Sequence, residues 1–192
     1  MVTISIPRRM ALGLGSGALL LATVAGPALA ANTVIQSITG GARTASLANL
    51  TLSSAAFQSA AHAVTGTMTL SVDDATDTSL GWGVTIQTSD FVWVGTATGG
   101  ADIPAAAFAV TSAAAPLRVA GQVVNATAAT GPQVATTFVA GSLDSPRRTV
   151  EATAGYGAGT YTQQLGVTLT IPAMSHVGTY TGTLAVTFVA AP

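Results

Sequence analysis

TYTGTLAVTFVAAP, residues 179–192, alternates large apolar and small polar side chains along most of its length. The residues of one parity are Tyr180, Gly182, Leu184, Val186 and Phe188, and the other parity carries threonine and alanine. A period of two is that of a β-strand with one buried face. We therefore expect this stretch to form the closing strand of a β fold.

The same alternation recurs upstream of the closing strand. It is clearest at residues 67–73, 81–89 and 161–171. The polar turn 74–79 separates the first two windows, so we expect them to form a hairpin, and we expect the third to pair with the closing strand.

The remaining strand candidates are shorter, and one window has a weak helical pattern. Residues 53–63 are rich in alanine and could form a turn or two of helix. Many short, threonine-rich strands predict an all-β fold, an antiparallel β-sandwich of the immunoglobulin-like kind. The shorter candidate strands are 34–39, 47–52, 108–112, 117–124, 134–140 and 150–154.

Residues 1–30 have the pattern of a cleaved export signal. Arg8 and Arg9 precede the apolar run 11–24, and Ala28 and Ala30 give a small-x-small cleavage site. The run is too short for a spanning helix, which needs about 20 residues. We expect a secreted protein with one domain at 31–192 and no membrane attachment after cleavage, while the paired arginines leave Sec and twin-arginine export both open.

Charge is scarce throughout the chain. It is 49% hydrophobic and 7% charged, with no cysteine and no lysine, and beyond residue 30 four arginines stand against seven acidic residues. Nucleic-acid binding is disfavoured because it depends on lysine and arginine contacts to phosphates. No disulfide can support the fold, but a chain of this length can bury a sufficient core. The composition is typical of a protein in a wall or matrix.

The sequence contains residue types that metal and catalytic sites use, but not at the spacing that such sites require. Asp73, Asp74 and Asp77 do not have the spacing of an EF-hand loop, and a solvated turn explains them equally well. His62 and His176 lie far apart in the sequence, and there is no Gly-x-Ser-x-Gly motif. We expect no enzyme, no cofactor and no metal.

Two further stretches have simple structural interpretations. The glycine-rich run 155–159 lies between two strand candidates, which favours a flexible hairpin connection over a phosphate-binding loop. Arg147 and Arg148 follow Pro146, and we expect them in a solvated loop.

The closing stretch resembles the C-terminal motif of the WxL domain proteins, Tyr-x-x-x-Leu-x-Trp-x-Leu-x-x-x-Pro. Tyr180, Leu184 and Pro192 stand at the spacing of that motif, with Val186 where the family has Trp and Phe188 where it has Leu. The resemblance extends upstream to about residue 50.

The proximal Trp-x-Leu motif of the same family is similar to Trp82-Gly83-Val84 here. The resemblance implies a non-enzymatic surface protein that attaches non-covalently to peptidoglycan in a Gram-positive cell wall. The replaced distal Trp removes a flat ring that could stack on a sugar. An aromatic site would then draw on other residues, and the candidates are Trp82, Val84, Phe91, Trp93, Tyr180, Leu184 and Phe188.

The two tryptophans each have two interpretations. A Trp at an inward parity of a sandwich is commonly a core residue, which would make Trp82 structural and not part of a surface. Trp93 shares its parity with Phe91, and a bulge at that point could expose both rings.

A second hypothesis makes the protein a structural subunit. Pilin-like and coat-like proteins assemble when an exposed edge strand pairs with a neighbouring copy or with another surface protein. Lysine is the usual residue that blocks such pairing, and this chain has none. The alternative to wall binding is therefore assembly by strand addition.

Overall fold

A computed structural model describes residues 36–96, 98–124 and 131–192, and residues Ile38–Pro192 form one compact unit. The predicted export signal lies outside the described residues and stays a prediction. Within the described ranges, no helix is both long enough and apolar enough to cross a bilayer.

The unit is built from antiparallel strands. The elements are β1 (Arg43–Leu47), β2 (His62–Asp74), β3 (Trp82–Thr88), β4 (Val92–Val94), a 3-10 turn (Ala105–Ala107), β5 (Phe108–Ala113), β6 (Leu117–Gly121), β7 (Gln133–Val134), β8 (Gly141–Ser142), β9 (Arg147–Ala152), β10 (Gly159–Ile171), β11 (Thr179–Thr181) and β12 (Leu184–Val189). The first sheet has the order β1-β2-β10-β5-β8, with β6 also paired to β10. The second sheet has the order β12-β3-β9-β7, and β4 and β11 form a separate ribbon.

The two larger sheets share one hydrophobic core. Alternate residues of β2 point into it from the first sheet, and alternate residues of β3 meet them from the second. This arrangement confirms the predicted antiparallel β-sandwich. The buried apolar residues on these two strands are Met68, Leu70, Val72, Trp82, Val84 and Ile86.

The predicted hairpin of β2 with β3 is wrong. β2 lies between β1 and β10, while β3 lies between β12 and β9 in the other sheet. The connection crosses the sandwich, and it contains the positive φ angles of Asp77, Ser79 and Gly81. Each strand carries a full row of core residues, and each is stabilised by two partners within its own sheet.

The closing stretch also differs from its predicted pairing. It divides at Gly182 into β11, which pairs with β4, and β12, which pairs with β3 and not with β10. The predicted alternation holds within β12, where Leu184, Val186 and Phe188 pack against the core. Periodicity identifies which face is buried, but it carries no information about the partner strand.

Several predicted elements have other boundaries. The described part of window 34–39 is not a strand, and its Ile38 is 92% exposed. Residues 53–61 are exposed and not helical, and a helix that packs no face against the core is only marginally stable. Strand β1 ends at Leu47, ahead of most of the predicted strand 47–52, and β7 takes only the start of the predicted strand 134–140.

Arg147 and Arg148 lie on β9, so their predicted placement in a solvated loop is wrong. Arg147 donates hydrogen bonds to the carbonyls of Ser142 and Val139. Arg148 forms an ion pair of 3.4 Å with Glu151, which is fully buried and accepts a 2.8 Å hydrogen bond from the Thr136 N–H. Arg147 therefore connects β9 to β8 of the first sheet, and Arg148 stabilises the second sheet and its flanking loop.

The glycine-rich run 155–159 connects β9 to β10, which lie in different sheets, so it is not a hairpin connection. The Trp82 indole N–H donates a 3.1 Å hydrogen bond to the carbonyl of Gly157. A β-carbon at Gly157 would overlap the indole ring, and the φ of 93° there suits glycine. The loop closes over Trp82.

We expect Trp82→Ala to lower the free energy of unfolding by about 3–5 kcal/mol, the usual cost of removing a large buried aromatic ring. Urea denaturation at neutral pH measures the change. Thr65→Ala, on the exposed face of β2, is the control and should stay within about 0.5 kcal/mol of the wild type. A Trp82→Ala protein as stable as the control would contradict the assignment of Trp82 to the core.

The buried carboxylate of Glu151 predicts a loss of stability in acid. Burial raises the pKa of Glu151, but the Thr136 N–H and the Arg148 guanidinium outweigh burial and hold that pKa below its ordinary value of 4.5. A lowered pKa stabilises the fold above the unfolded-state pKa, and this contribution is lost as the pH falls through the folded-state pKa.

We expect Glu151→Gln to cost about 1–3 kcal/mol at pH 7, because Arg148 then loses its charged partner. The difference from wild type should shrink as the pH falls below 4.5. Urea denaturation across this pH range measures the difference, and Asp77→Asn, at an exposed turn position, is the control. A difference that stays constant with pH would contradict the assigned role.

Candidate functional site

A groove of about 690 Å³ opens at one end of the sandwich. The ends of four core strands form its base, at Thr88, Phe108, Leu169 and Leu184, together with the start of β2 at His62. Its volume is in the range of about 300–1,000 Å³ that is typical of ligand sites.

Two connecting segments form the walls of the groove. One is residues 50–58, between β1 and β2, and the other is residues 175–182, which run from the end of β10 into β11. The segments meet where the Met174 N–H donates a 3.1 Å hydrogen bond to the Gln58 carbonyl. Loops held by a rigid sandwich are where binding residues are commonly found.

Three of the predicted binding residues line this groove, namely Phe91, Tyr180 and Leu184. Phe91 packs edge-to-face on Phe108 with ring centroids 5.4 Å apart. The Tyr180 hydroxyl donates a 2.8 Å hydrogen bond to the carbonyl of His176, which fixes the direction of its ring. These residues come from stretches about 90 positions apart, and the fold places them in one site.

Trp93 does not line the groove. Its indole packs against Gly95, Gly100 and Gly178, and a β-carbon at any of these glycines would overlap the ring. On β4 it is paired with Tyr180 of β11, and its ring centroid lies 6.1 Å from that of His176. The ring is thus packed within the β4–β11 ribbon, close to one wall of the groove.

The other three predicted binding residues pack in or against the core. Trp82 and Val84 are fully buried, so neither side chain can contact a ligand in this fold. Phe188 is partly buried and meets Trp82 edge-to-face at 6.1 Å. The geometry therefore identifies Trp82 as a core residue and not as a binding residue.

Sequence reasoning missed part of the groove. Phe57 lines it and is 57% exposed, yet nothing in its local sequence marks it as a surface aromatic. His62 and His176 are isolated in the sequence, but the fold brings both to the groove. Their placement in the groove depends on which strand ends meet at one end of the sandwich. Alternation along the sequence does not predict which strand ends meet.

His62 lines the groove at the start of β2. Both ring nitrogens of His62 are buried and have no hydrogen-bond partner among the described residues. A buried polar atom without a partner costs about 1–3 kcal/mol, so such atoms often mark a place where a ligand or solvent completes the site.

No group of three or more metal-ligating side chains occurs in the described ranges. Comparison with known protein families, with curated proteins and with solved structures gave no match. The resemblance to WxL domains therefore stays a prediction.

We expect Gly178→Ala to disturb the ribbon, because the added methyl group overlaps the Trp93 indole. Overpacking of this kind typically costs about 1–3 kcal/mol. In a ¹⁵N-correlated NMR spectrum the Trp93 indole signal should move while that of Trp82 stays in place. The neighbouring exposed substitution Thr179→Ala is the control, and equal shifts of the Trp93 signal in both variants would contradict this packing.

Proposed function

We propose that this protein is a secreted, non-enzymatic surface protein that binds peptidoglycan non-covalently through the groove at the end of the sandwich. The observation that carries the proposal is the convergence of Phe91, Tyr180 and Leu184 with the exposed ring of Phe57. Aromatic rings beside hydroxyl groups suit a ligand that has both apolar and polar surfaces.

The residues of the groove favour binding over catalysis. None of its described lining residues is Asp or Glu, whereas hydrolysis of a glycosidic bond ordinarily uses two carboxyl groups. The WxL resemblance, which includes Tyr180 and Leu184 at the motif spacing, also supports a wall-binding module.

The test is sedimentation of the protein with insoluble peptidoglycan. Phe57→Ser should weaken binding about tenfold, because it removes an exposed aromatic contact of about 0.5–1.5 kcal/mol together with its apolar area. Leu80→Ser is the matched control, since Leu80 is 68% exposed and does not line the groove. Both variants should keep the wild-type melting curve.

Binding should also survive about 1 M salt, at which only contacts between exposed charges are strongly screened. Absence of sedimentation at low salt would refute wall binding. Equal losses in Phe57→Ser and Leu80→Ser would place the binding surface outside the groove.

Strand addition is the second candidate, and strand β6 favours it. All five residues of β6 are exposed, with Leu117 at 65% and Val119 at 64%, and among the described residues β6 pairs only with β10. Val119→Lys should then abolish self-association in analytical ultracentrifugation without changing peptidoglycan binding. A wild-type protein that stays monomeric at high concentration would remove self-assembly as a function.

A further inference from the structure

The groove is uncharged, and this property limits what it can bind. Its lining residues include neither an acidic residue nor an arginine, within the part of the chain that the structure describes. Its polar groups are hydroxyls, an amide and two imidazoles, supplied by Thr51, Ser53, Ser54, Gln58, His62, Thr88, Ser175, His176, Thr179, Tyr180 and Thr181.

The arginines of the described unit are engaged elsewhere. Arg43 forms an ion pair of 3.0 Å with Asp74, and Arg118 donates to the carbonyl of Gly121. Arg147 donates to the Ser142 carbonyl of β8 in the first sheet, and Arg148 pairs with Glu151 in the second sheet. Among the described residues, no arginine therefore lines the groove to pair with a carboxylate or a phosphate.

The polymers of a cell wall differ in charge. Its stem peptides carry free carboxylates and amines, and its anionic polymers carry phosphates, whereas the N-acetylated sugars of a peptide-substituted glycan strand are neutral. A charged group that enters an uncharged groove loses hydration without gaining a counter-charge, at a cost of several kcal/mol per ion. The groove therefore discriminates against the charged components.

The remaining choice is between a neutral sugar and a purely apolar ligand. An apolar ligand would cover the hydroxyls and the Gln58 amide without replacing their hydrogen bonds to water. A sugar ring offers an apolar face to Phe57 or Tyr180 and hydroxyl or acetamido groups to the polar lining. A hydroxyl group both donates and accepts, which matches the serine and threonine hydroxyls of the lining.

We propose that the groove recognises the neutral, N-acetylated glycan strand and not the stem peptide or an anionic wall polymer. This inference rests on the proposed function, because it names which part of peptidoglycan occupies the same groove. The contacts are stacking on aromatic rings and hydrogen bonds to neutral groups, so the affinity should be nearly independent of salt.

The test uses two soluble probes that share one sugar backbone, the hexamer of N-acetylglucosamine and its de-N-acetylated, cationic counterpart. Titration calorimetry with the purified wild-type protein should show binding of the acetylated hexamer that changes less than twofold between low and high salt. The de-N-acetylated hexamer should bind at least tenfold more weakly. Phe57→Ser should weaken binding of the acetylated hexamer about tenfold, and Leu80→Ser should not.

Sedimentation with insoluble peptidoglycan separates failure of this inference from failure of the proposed function. The inference is overturned if the protein sediments with peptidoglycan but does not bind the acetylated hexamer, or if free stem tetrapeptide displaces it from peptidoglycan. Either result is still consistent with wall binding. Protein that binds neither material overturns both. Equal affinity for the two hexamers also overturns the inference, because it would show that the groove does not select against charge.

Discussion

The packing of Trp82 between the two sheets is the contact on which most of this structure depends. Its indole meets Tyr161 of the opposite sheet at a centroid distance of 6.3 Å and Phe188 of its own sheet at 6.1 Å. Its only polar atom is satisfied by a loop carbonyl, so the largest side chain of the core is buried without an unpaired donor. The loop that provides this carbonyl also connects the two sheets. Trp82 therefore stabilises both the packing of the sheets and the connection between them.

The groove is a consequence of the same architecture. The groove lies where the core strands end, between the segments 50–58 and 175–182. Leu50 and Leu52 pack against the core, whereas residues 53–58 are exposed and form a wall. In the groove, Phe91 is held by packing on Phe108 and Tyr180 by its hydrogen bond, which presents both rings to a ligand at little further entropic cost.

The sequence predicts the buried faces well and the strand partners poorly. Alternation in β2, β3, β10 and β12 identifies inward residues such as Leu70 and Val84, because a strand with one buried face must repeat every two residues. It does not indicate that β2 and β3 belong to different sheets, because both pairings would leave the pattern unchanged. The WxL motif spacing predicts Tyr180 and Leu184 as binding residues. Phe57 and His62 become candidates only when the fold brings the ends of distant strands together.

The register between β2 and β10 also bears on when the chain can fold. All thirteen residues of β10 pair with β2, from Gly159 opposite Asp74 to Ile171 opposite His62, and the partners are separated by roughly a hundred positions along the chain. Before β10 is available, β2 has only the five-residue strand β1 as a partner, so the central pairing of the first sheet forms late. A chain that becomes available from its N-terminus can therefore form the short β1–β2 pairing early, but it completes the sandwich only after β10 and β12 have joined their sheets.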